Sequence, residues 1–398
     1  MSFAVGWSYS NISAVAPKLA TDYGVSVGAI GFLTTVVLLV YTLLQLPVGR
    51  ALDRLGARRV GAAGLVVIGL ANLLPAVSTS YWVVLGARAL LGVGAPLAYL
   101  GGLDLIRRLG GSAQLLGAFG AVNGGSMGLA LLIVPQLDPW LGFRGPYVSS
   151  ELFVVVALVA MAPWWAPRSE AAPGVSGVAV ASAGSPGGKA RAASSRVSTR
   201  ELLRDRELLR LAVMNCSSAA LSPMVSSWVV TLLVKAGGTS NARAGVIGSI
   251  TLLGLVASRP VSGWLVQRRP ELVRKGIFVS AAMGVGGCAA LAVVGPLWLS
   301  AIGSLLVGVA SAVPWTYVFT RAPHVRPEAT GSAFAVVSGI PLTAAIVGVP
   351  LIGLTFALPG NGRIGFVVVA ALWAVLLFVL PKRPEADTSA DPAARAAA

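Results

Sequence analysis

The chain has 398 residues, of which 56% are hydrophobic and only 11% charged, and its mean hydropathy is +0.82. Soluble domains average about 45–50% apolar and about 25% charged residues, so this composition excludes an ordinary water-soluble domain. The 30 Lys and Arg residues against 14 Asp and Glu give a net charge of +16. In a membrane protein such a surplus collects in cytoplasmic loops, so we expect a lipid bilayer and no nucleic acid as the partner.

Twelve apolar runs are each long enough to cross a bilayer, which takes about 20 residues. They lie at 1–19, 27–49, 58–78, 81–103, 113–135, 146–166, 208–234, 244–266, 275–294, 297–320, 329–357 and 363–381. The first run has no basic segment ahead of it and carries Trp7 and Tyr9 in its middle, which is not typical of a secretory signal. The chain is therefore predicted to be an all-α membrane protein with twelve transmembrane helices.

A change in composition after residue 166 divides the twelve runs into six and six. Gly, Ser and Ala dominate residues 171–195, as in flexible linkers, and residues 199–210 predict a short amphipathic helix on the membrane surface. We predict four regions: an N-terminal six-helix bundle (1–166), a basic cytoplasmic linker (167–206), a C-terminal six-helix bundle (207–381) and a disordered cytoplasmic tail (382–398).

The placement of the basic residues predicts the orientation. With both termini in the cytoplasm, 23 of the 30 Lys and Arg residues fall on the cytoplasmic side and five on the outer side. Cytoplasmic loops of membrane proteins carry this excess, so a multi-pass protein of the cell membrane with both termini inside is expected.

The two sets of six runs also resemble each other in sequence. Gly49 and Asp53 at the end of the second run correspond to Gly263 and Gln267 at the end of the eighth, both at an offset of 214 residues. The fourth and tenth runs match at nearly the same offset. Internal repeats of this kind are typical of transporters built from two pseudo-symmetric halves.

The stretch GRALDRLGARR (49–59) resembles the cytoplasmic loop signature of major facilitator superfamily transporters, and RALLGVGA (88–95) resembles their fourth-span motif. The resemblance implies two six-helix bundles that rock about a central cavity and transport by alternating access. Glycines allow close helix packing, and a carboxylate at a helix end can accept hydrogen bonds from Arg or from a helix N-terminus of the other half. The loop is therefore expected to be a gate, formed by Gly49, Asp53, Arg54, Gly56, Arg58 and Arg59.

A charge inside a membrane span is costly and indicates a functional site. Arg259 lies about 12 Å from the cytoplasmic end of the eighth run at 1.5 Å per residue, and its repeat partner is Gln45. A guanidinium facing a glutamine suits a small anion, and the pair partly resembles the nitrate/nitrite porters of the superfamily, with Gln45 in place of an arginine. The Gly/Asn-rich stretch 120–125 is similar to their signature as well. The alternative for Arg259 is an internal ion pair that helps the halves to pack.

Arg88 and Glu151 are the other two charges inside spans. They are candidates for a buried pair and for proton coupling, while the alternative for Glu151 is hydration at the interface or pairing with Arg144. Polar and aromatic residues of several spans are expected to line the cavity. The substrate-binding candidates are Arg259, Gln45, Asn123, Asn11, Trp315 and Tyr317.

Secondary active transport is the predicted function. One His and the lack of a phosphate-binding loop argue against an enzyme or an ATP-driven pump, and no cofactor or metal is expected. Two substrate classes stay open: a small anion or anionic metabolite held by Arg259, or apolar and cationic compounds exported with proton coupling. A monomer is expected.

Overall fold

The computed structural model describes residues 1–162 and 198–379, and within these ranges the secondary structure is helical, without a strand. Most of the predicted linker and the whole predicted tail lie outside the described residues. The predicted division into four regions therefore stays a prediction at those boundaries.

The helices of the first half follow the first six apolar runs. They are α1 (Ser2–Ser10), α2 (Ala16–Asp22), α3 (Val27–Leu43), α4 (Gln45–Leu55), α5 (Ala57–Ala76), α6 (Tyr81–Arg108), α7 (Ala113–Ile133), α8 (Asp138–Leu141) and α9 (Gly145–Met161). Helices α3 and α4 belong to one run and are bent by 52° at the break between them.

The second half repeats the pattern. Its helices are α10 (Thr199–Leu202), α11 (Arg206–Cys216), α12 (Ser222–Lys235), α13 (Asn241–Arg268), α14 (Val273–Val293), α15 (Leu297–Ala310), α16 (Ala312–Val325), α17 (Thr330–Leu354) and α18 (Arg363–Val375). A π-helical turn, Ser217–Leu221, joins α11 to α12. Pro223 follows this turn and lacks the N–H that a continuous α-helix needs.

Among the described residues, eight helical stretches are long and apolar enough to span a membrane, or nine with the bent α3–α4 pair. One of the eight, Ala113–Met161, contains both α7 and α9. The α1–α2 and α18 segments are too broken or too short to pass alone, yet they occupy the first and twelfth predicted runs. The predicted all-α membrane fold is thus confirmed.

The two halves meet along two seams. Helix α4 packs on α17, and helix α13 packs on α7. Each seam contains a close contact at a glycine: a Cβ on Gly49 would lie 2.5 Å from the carbonyl oxygen of Gly331, and a Cβ on Gly263 would lie 2.7 Å from that of Ala113. We call these contacts the Asp53 seam (α4–α17) and the Arg259 seam (α13–α7).

Both glycine contacts lie toward the membrane face that carries Arg54, Arg107, Arg268 and Arg326, which we call the basic face. In contrast, Gly128 in the second half of α7 has no neighbour within 4 Å of an added Cβ. The halves are therefore packed together at the basic face.

The predicted amphipathic helix over residues 199–210 is wrong as one element. Helix α10 ends at Leu202, and Asp205 begins α11 as its N-cap, accepting hydrogen bonds from the N–H groups of Glu207 and Leu208 at 2.9 and 3.1 Å. The side chain of Leu202 is buried in the protein core rather than turned to a membrane surface. A good N-cap residue in mid-segment explains the break.

Candidate functional site

Asp53 links the two halves at the basic face. Its Oδ1 accepts a hydrogen bond from the N–H of Gly331 at 2.6 Å, and its Oδ2 accepts two from Ser332, from the N–H at 3.0 Å and from the hydroxyl at 2.6 Å. Both donors lie in the first turn of α17, whose free N–H groups and positive dipole end attract an anion. Asp53 therefore caps a helix of the other half.

The two seams differ in how the N-terminus of the helix at each seam is capped. Helix α17 begins after Ala329, which provides no side-chain cap, whereas the N-cap of α7, Ser112, accepts a hydrogen bond from the N–H of Leu115 within its own helix. Of the two seams, only the Asp53 seam thus has a helix that is capped by a residue of the other half. This agrees with the sequence repeat, in which Gln267 stands at the position that corresponds to Asp53.

The remaining loop candidates lie around this cap. Arg54 and Arg59 are exposed, Arg58 is half-buried, and Gly56 has a φ of +84° that favours glycine. Sequence reasoning missed Asp104, which is fully buried near Asp53 and pairs with Arg107 and Arg108. The sequence does contain a signal for this cluster, because Asp104 stands three residues before Arg107 and four before Arg108, the spacing at which side chains of a helix meet.

Arg259 lies on the second seam, about 13 Å from the end of α13 at 1.5 Å per residue, and only 7% of the residue is exposed. Its Nη2 donates a hydrogen bond to the hydroxyl of Ser218 at 2.9 Å. The guanidinium carbon lies 4.1 Å from the centre of the Trp315 ring, a cation–π contact that is strongest away from water.

Two local features make room for this guanidinium. A Cβ on Gly120 of α7 would collide with Arg259 Nη1 and with the ring of Trp315. Ser218 belongs to the π-helical turn Ser217–Leu221, a distortion that often marks functional sites. The glycine was visible in the Gly/Asn-rich signature of the sequence, but the π-turn was not.

No carboxylate balances this charge among the described residues. The ion pairs between them do not include Arg259, and its Nε has no hydrogen-bond partner. Tyr99 of α6 faces the guanidinium, but a neutral phenol does not neutralise it. A buried, uncompensated cation is expensive, so this position is suited to an anionic ligand.

Gln45 does not lie beside Arg259 in the way that the repeat suggested. It packs on the Asp53 seam, where a Cβ on Gly339 of α17 would be 3.4 Å from the Gln45 Cβ. Tyr41, which the sequence analysis did not single out, faces both Gln45 and Tyr99. A line of tyrosines thus separates the two predicted partners.

Arg88 is buried inside the first half and does not pair with Glu151. Its Nη1 donates to the carbonyl of Ser8 at 2.8 Å and its Nη2 to Oδ1 of Asn11 at 2.7 Å. Asn11 in turn donates to Ser150 at 2.7 Å. The predicted Arg88–Glu151 pair is therefore wrong. Asn11 is fully buried with its side-chain amide engaged in this network, and its role as a substrate contact stays a prediction.

The remaining site candidates are Glu151, Asn123 and Tyr317, and each has different neighbours. Glu151 lies beside Gly69 of α5, and its Oε2 has no hydrogen-bond partner among the described residues, so the suggested pairing with Arg144 is absent from them too. Asn123 of α7 donates to the carbonyl of Ser2 at 3.1 Å. Tyr317 faces Glu207 and other charges of the basic face, away from Arg259.

Comparison with known proteins gives a family and a fold. The model of the Major Facilitator Superfamily matches residues 1–340. The puromycin resistance protein pur8 of Streptomyces alboniger is 31% identical over 152 residues, which are 37% of this chain and 30% of that protein. The chain thus matches less than a third of the length of this relative.

Two solved structures resemble almost the whole chain. The human organic anion transporter MFSD10 (TETRAN) has a TM-score of 0.71 at 16% identity, covering 96% of this chain and 97% of its own. The major facilitator transporter FucP, in the outward conformation, has a TM-score of 0.72 at 15% identity, covering 95% and 96%. Identities this low show a shared fold alone. The match of the family model over residues 1–340 establishes that the chain belongs to the major facilitator superfamily.

Proposed function

We propose that the protein is a secondary active transporter that works by alternating access and carries a small anion or anionic metabolite. The observation that carries the proposal is the uncompensated guanidinium of Arg259, buried on the seam between the halves. An anion there would receive directed N–H donors and would offset the cost of burying the charge. Trp315 and Gly120 orient the guanidinium, and Asn123 lies three residues further along the same helix as Gly120.

The gate in this proposal is the Asp53 seam. With Asp53 on the first turn of α17, the halves are closed at the basic face, which we place in the cytoplasm together with both termini. Release of this cap would let the halves rock and open the other way. The protein would act as a monomer in the cell membrane, since each chain contains both halves.

Glu151 is the group that would couple transport to protons. Glu151 is an acid within a span, next to Gly69 and without an ion-pair partner among the described residues, so it has room to gain and lose a proton. Arg88 would act indirectly, by holding α1 and α6 together through Ser8 and Asn11.

A second candidate is export of apolar or cationic compounds, and the partial relative named as a puromycin resistance protein favours it. A ligand screen on the purified protein distinguishes the two. A ligand at about 100 times its Kd raises the free energy of unfolding by about 2.7 kcal/mol, which a thermal-shift measurement detects. Stabilisation by anions supports the first function, whereas stabilisation by cations alone supports export and overturns the first.

A further inference from the structure

A groove of about 470 Å³ lies between the bent α3–α4 pair and α17. Its walls are mostly apolar and include Leu43, Leu46, Ile340 and Val347. The volume is within the range of pockets that bind small organic molecules, about 300–1,000 Å³. The groove lies on the Asp53 seam and is therefore separate from the proposed anion site at Arg259, which lies on the other seam.

The groove opens toward the bilayer. Leu43 and Val347, which line its rim, are 68% and 54% exposed, and both lie within membrane-crossing helices. Surface at this depth faces hydrocarbon rather than water, so the occupant of the groove comes from the lipid phase. None of the described residues that line it is charged, so a charged group would be costly inside.

Two polar side chains in the wall, Gln45 and Thr42, have buried atoms without a hydrogen-bond partner among the described residues. Gln45 is 1% exposed and faces the hydroxyl of Tyr41, but neither its Nε2 nor its Oε1 is within hydrogen-bond geometry of a partner among the described residues. The hydroxyl of Thr42, in the same wall, is also buried and unpaired. Hydrocarbon cannot form the hydrogen bonds that water would form with these atoms. Their burial therefore costs free energy until a ligand provides a donor and an acceptor.

The backbone explains why the groove exists. The 52° bend between α3 and α4 falls immediately before Gln45, and Gly339 faces Gln45 from α17 with no side chain of its own. A larger residue at 339 would project toward Gln45 and occupy this space. The bend and the glycine together leave room for a ligand beside the side chain of Gln45, whose Cβ and Cγ face Gly339.

We propose that this groove binds a neutral amphipathic molecule from the bilayer, with its apolar body along Leu43 and Val347 and an amide or hydroxyl end bonded to Gln45. An amide or hydroxyl both donates and accepts, which matches the two unpaired atoms of Gln45. This site is separate from Arg259 and goes beyond the proposed anion transport.

The test uses two photoreactive probes of equal chain length, a diazirine-bearing hexadecanamide and a diazirine-bearing hexadecane, on the full chain in lipid nanodiscs. Crosslinks are mapped by mass spectrometry. We expect the amide probe to label α3 and α17 at least about fivefold more than the alkane, as one satisfied polar group implies. Gln45→Met keeps the side-chain length and should remove this preference.

Filling the groove gives the second readout. Gly339→Leu should lower labelling by the amide probe to the level of the alkane, while Gly31→Leu in α3, where an added Cβ meets nothing within 4 Å, should leave it unchanged. Thr343→Leu replaces Gly339→Leu if the latter does not fold. Arg259→Lys should not alter labelling, so failure of the anion proposal leaves this result unaffected. Equal labelling by both probes, or labelling that Gly339→Leu and Thr343→Leu do not reduce, would overturn the proposal.

Discussion

Asp53 and Ser332 belong to different halves of the chain and are joined by two hydrogen bonds to one carboxylate oxygen, at 3.0 Å from the backbone N–H and 2.6 Å from the hydroxyl. The helix whose first turn contains Ser332 has no side-chain cap of its own among the described residues. The free energy of this helix end is therefore coupled to the distance between the halves, because separation at the basic face leaves the first turn of α17 uncapped.

The first prediction follows from this coupling. Asp53→Asn removes the charge and should weaken closure at the basic face by about 1.5–3 kcal/mol, the usual contribution of hydrogen bonds to a charged group. Spin labels at Leu55 and His324, in the absence of the native cysteines, should show a longer distance population. Glu271→Gln, an exposed acid near the same face, is the control. An unchanged distance distribution in Asp53→Asn would rule out the gate.

The second prediction concerns Gly120. Gly120→Ala places a methyl group where Arg259 Nη1 and Trp315 lie, and overpacking of this kind costs about 1–3 kcal/mol. Ligand binding, measured by thermal-shift titration, should weaken because the added methyl group displaces Arg259 from its cation–π contact with Trp315. Gly128→Ala in the same helix meets open space and should bind normally. Equal binding in both variants would mean that the position of Arg259 does not matter to the ligand.

The third prediction is a pH dependence at the basic face. Burial alone would raise the pKa of Asp205, but hydrogen bonds from the backbone of Leu208 and from Arg326, which donates at 2.7 Å, outweigh it and lower the pKa. The pKa is lower in the folded than in the unfolded chain. The ionised carboxylate of Asp205 therefore stabilises the fold fully when the pH is above its ordinary pKa. This stabilisation disappears as the pH falls through the lower pKa of the folded chain.

Asp205→Asn tests this directly, since Asn remains a good N-cap but cannot form the ion pair. At pH 7 the variant should be less stable by up to about 1 kcal/mol, as for partly exposed ion pairs. The difference in unfolding temperature should vanish once the pH lies below the folded pKa. A constant difference across this range would assign the effect to something other than the charge of Asp205.

The fourth prediction tests coupling. If Glu151 carries the proton, Glu151→Gln should abolish accumulation driven by a pH gradient in proteoliposomes but leave exchange of labelled for unlabelled substrate intact. Arg144→Gln, nearby but unpaired with Glu151 among the described residues, serves as the control. Full gradient-driven accumulation in Glu151→Gln would remove this residue from the mechanism.

Much of the fold was predictable because it depends on local patterns. Run length, the positive surplus and the repeat of Gly49 at Gly263 together gave twelve helices in two halves, and Asp53 could be assigned to a helix end. Partners across helices were harder. The hydrogen bond from Asn11 to Ser150 was not predictable, because the sequence does not show which side of α1 meets α9.

The site shows the same limit. The depth of Arg259 follows from counting residues, but its contact with Ser218 depends on a π-helical turn that no periodicity predicts. The bend before Gln45 likewise turned that residue toward Gly339 rather than toward Arg259. In both cases an irregular stretch of backbone, the π-helical turn or the bend, determines which side chains meet.

Substitution of Arg259 by Lys tests the central claim most directly. Lys keeps the charge but loses the planar fork and the stacking on Trp315, so binding of the anion that stabilises the wild type should weaken by at least ~1–2 kcal/mol, roughly tenfold. The measurement is an anion titration by thermal shift, wild type against Arg259→Lys, in matched nanodiscs. Tenfold weaker binding with an unchanged unfolding temperature of the free protein is the expected result. Equal affinity in Arg259→Lys, or wild-type protein stabilised only by cations, would contradict the anion site.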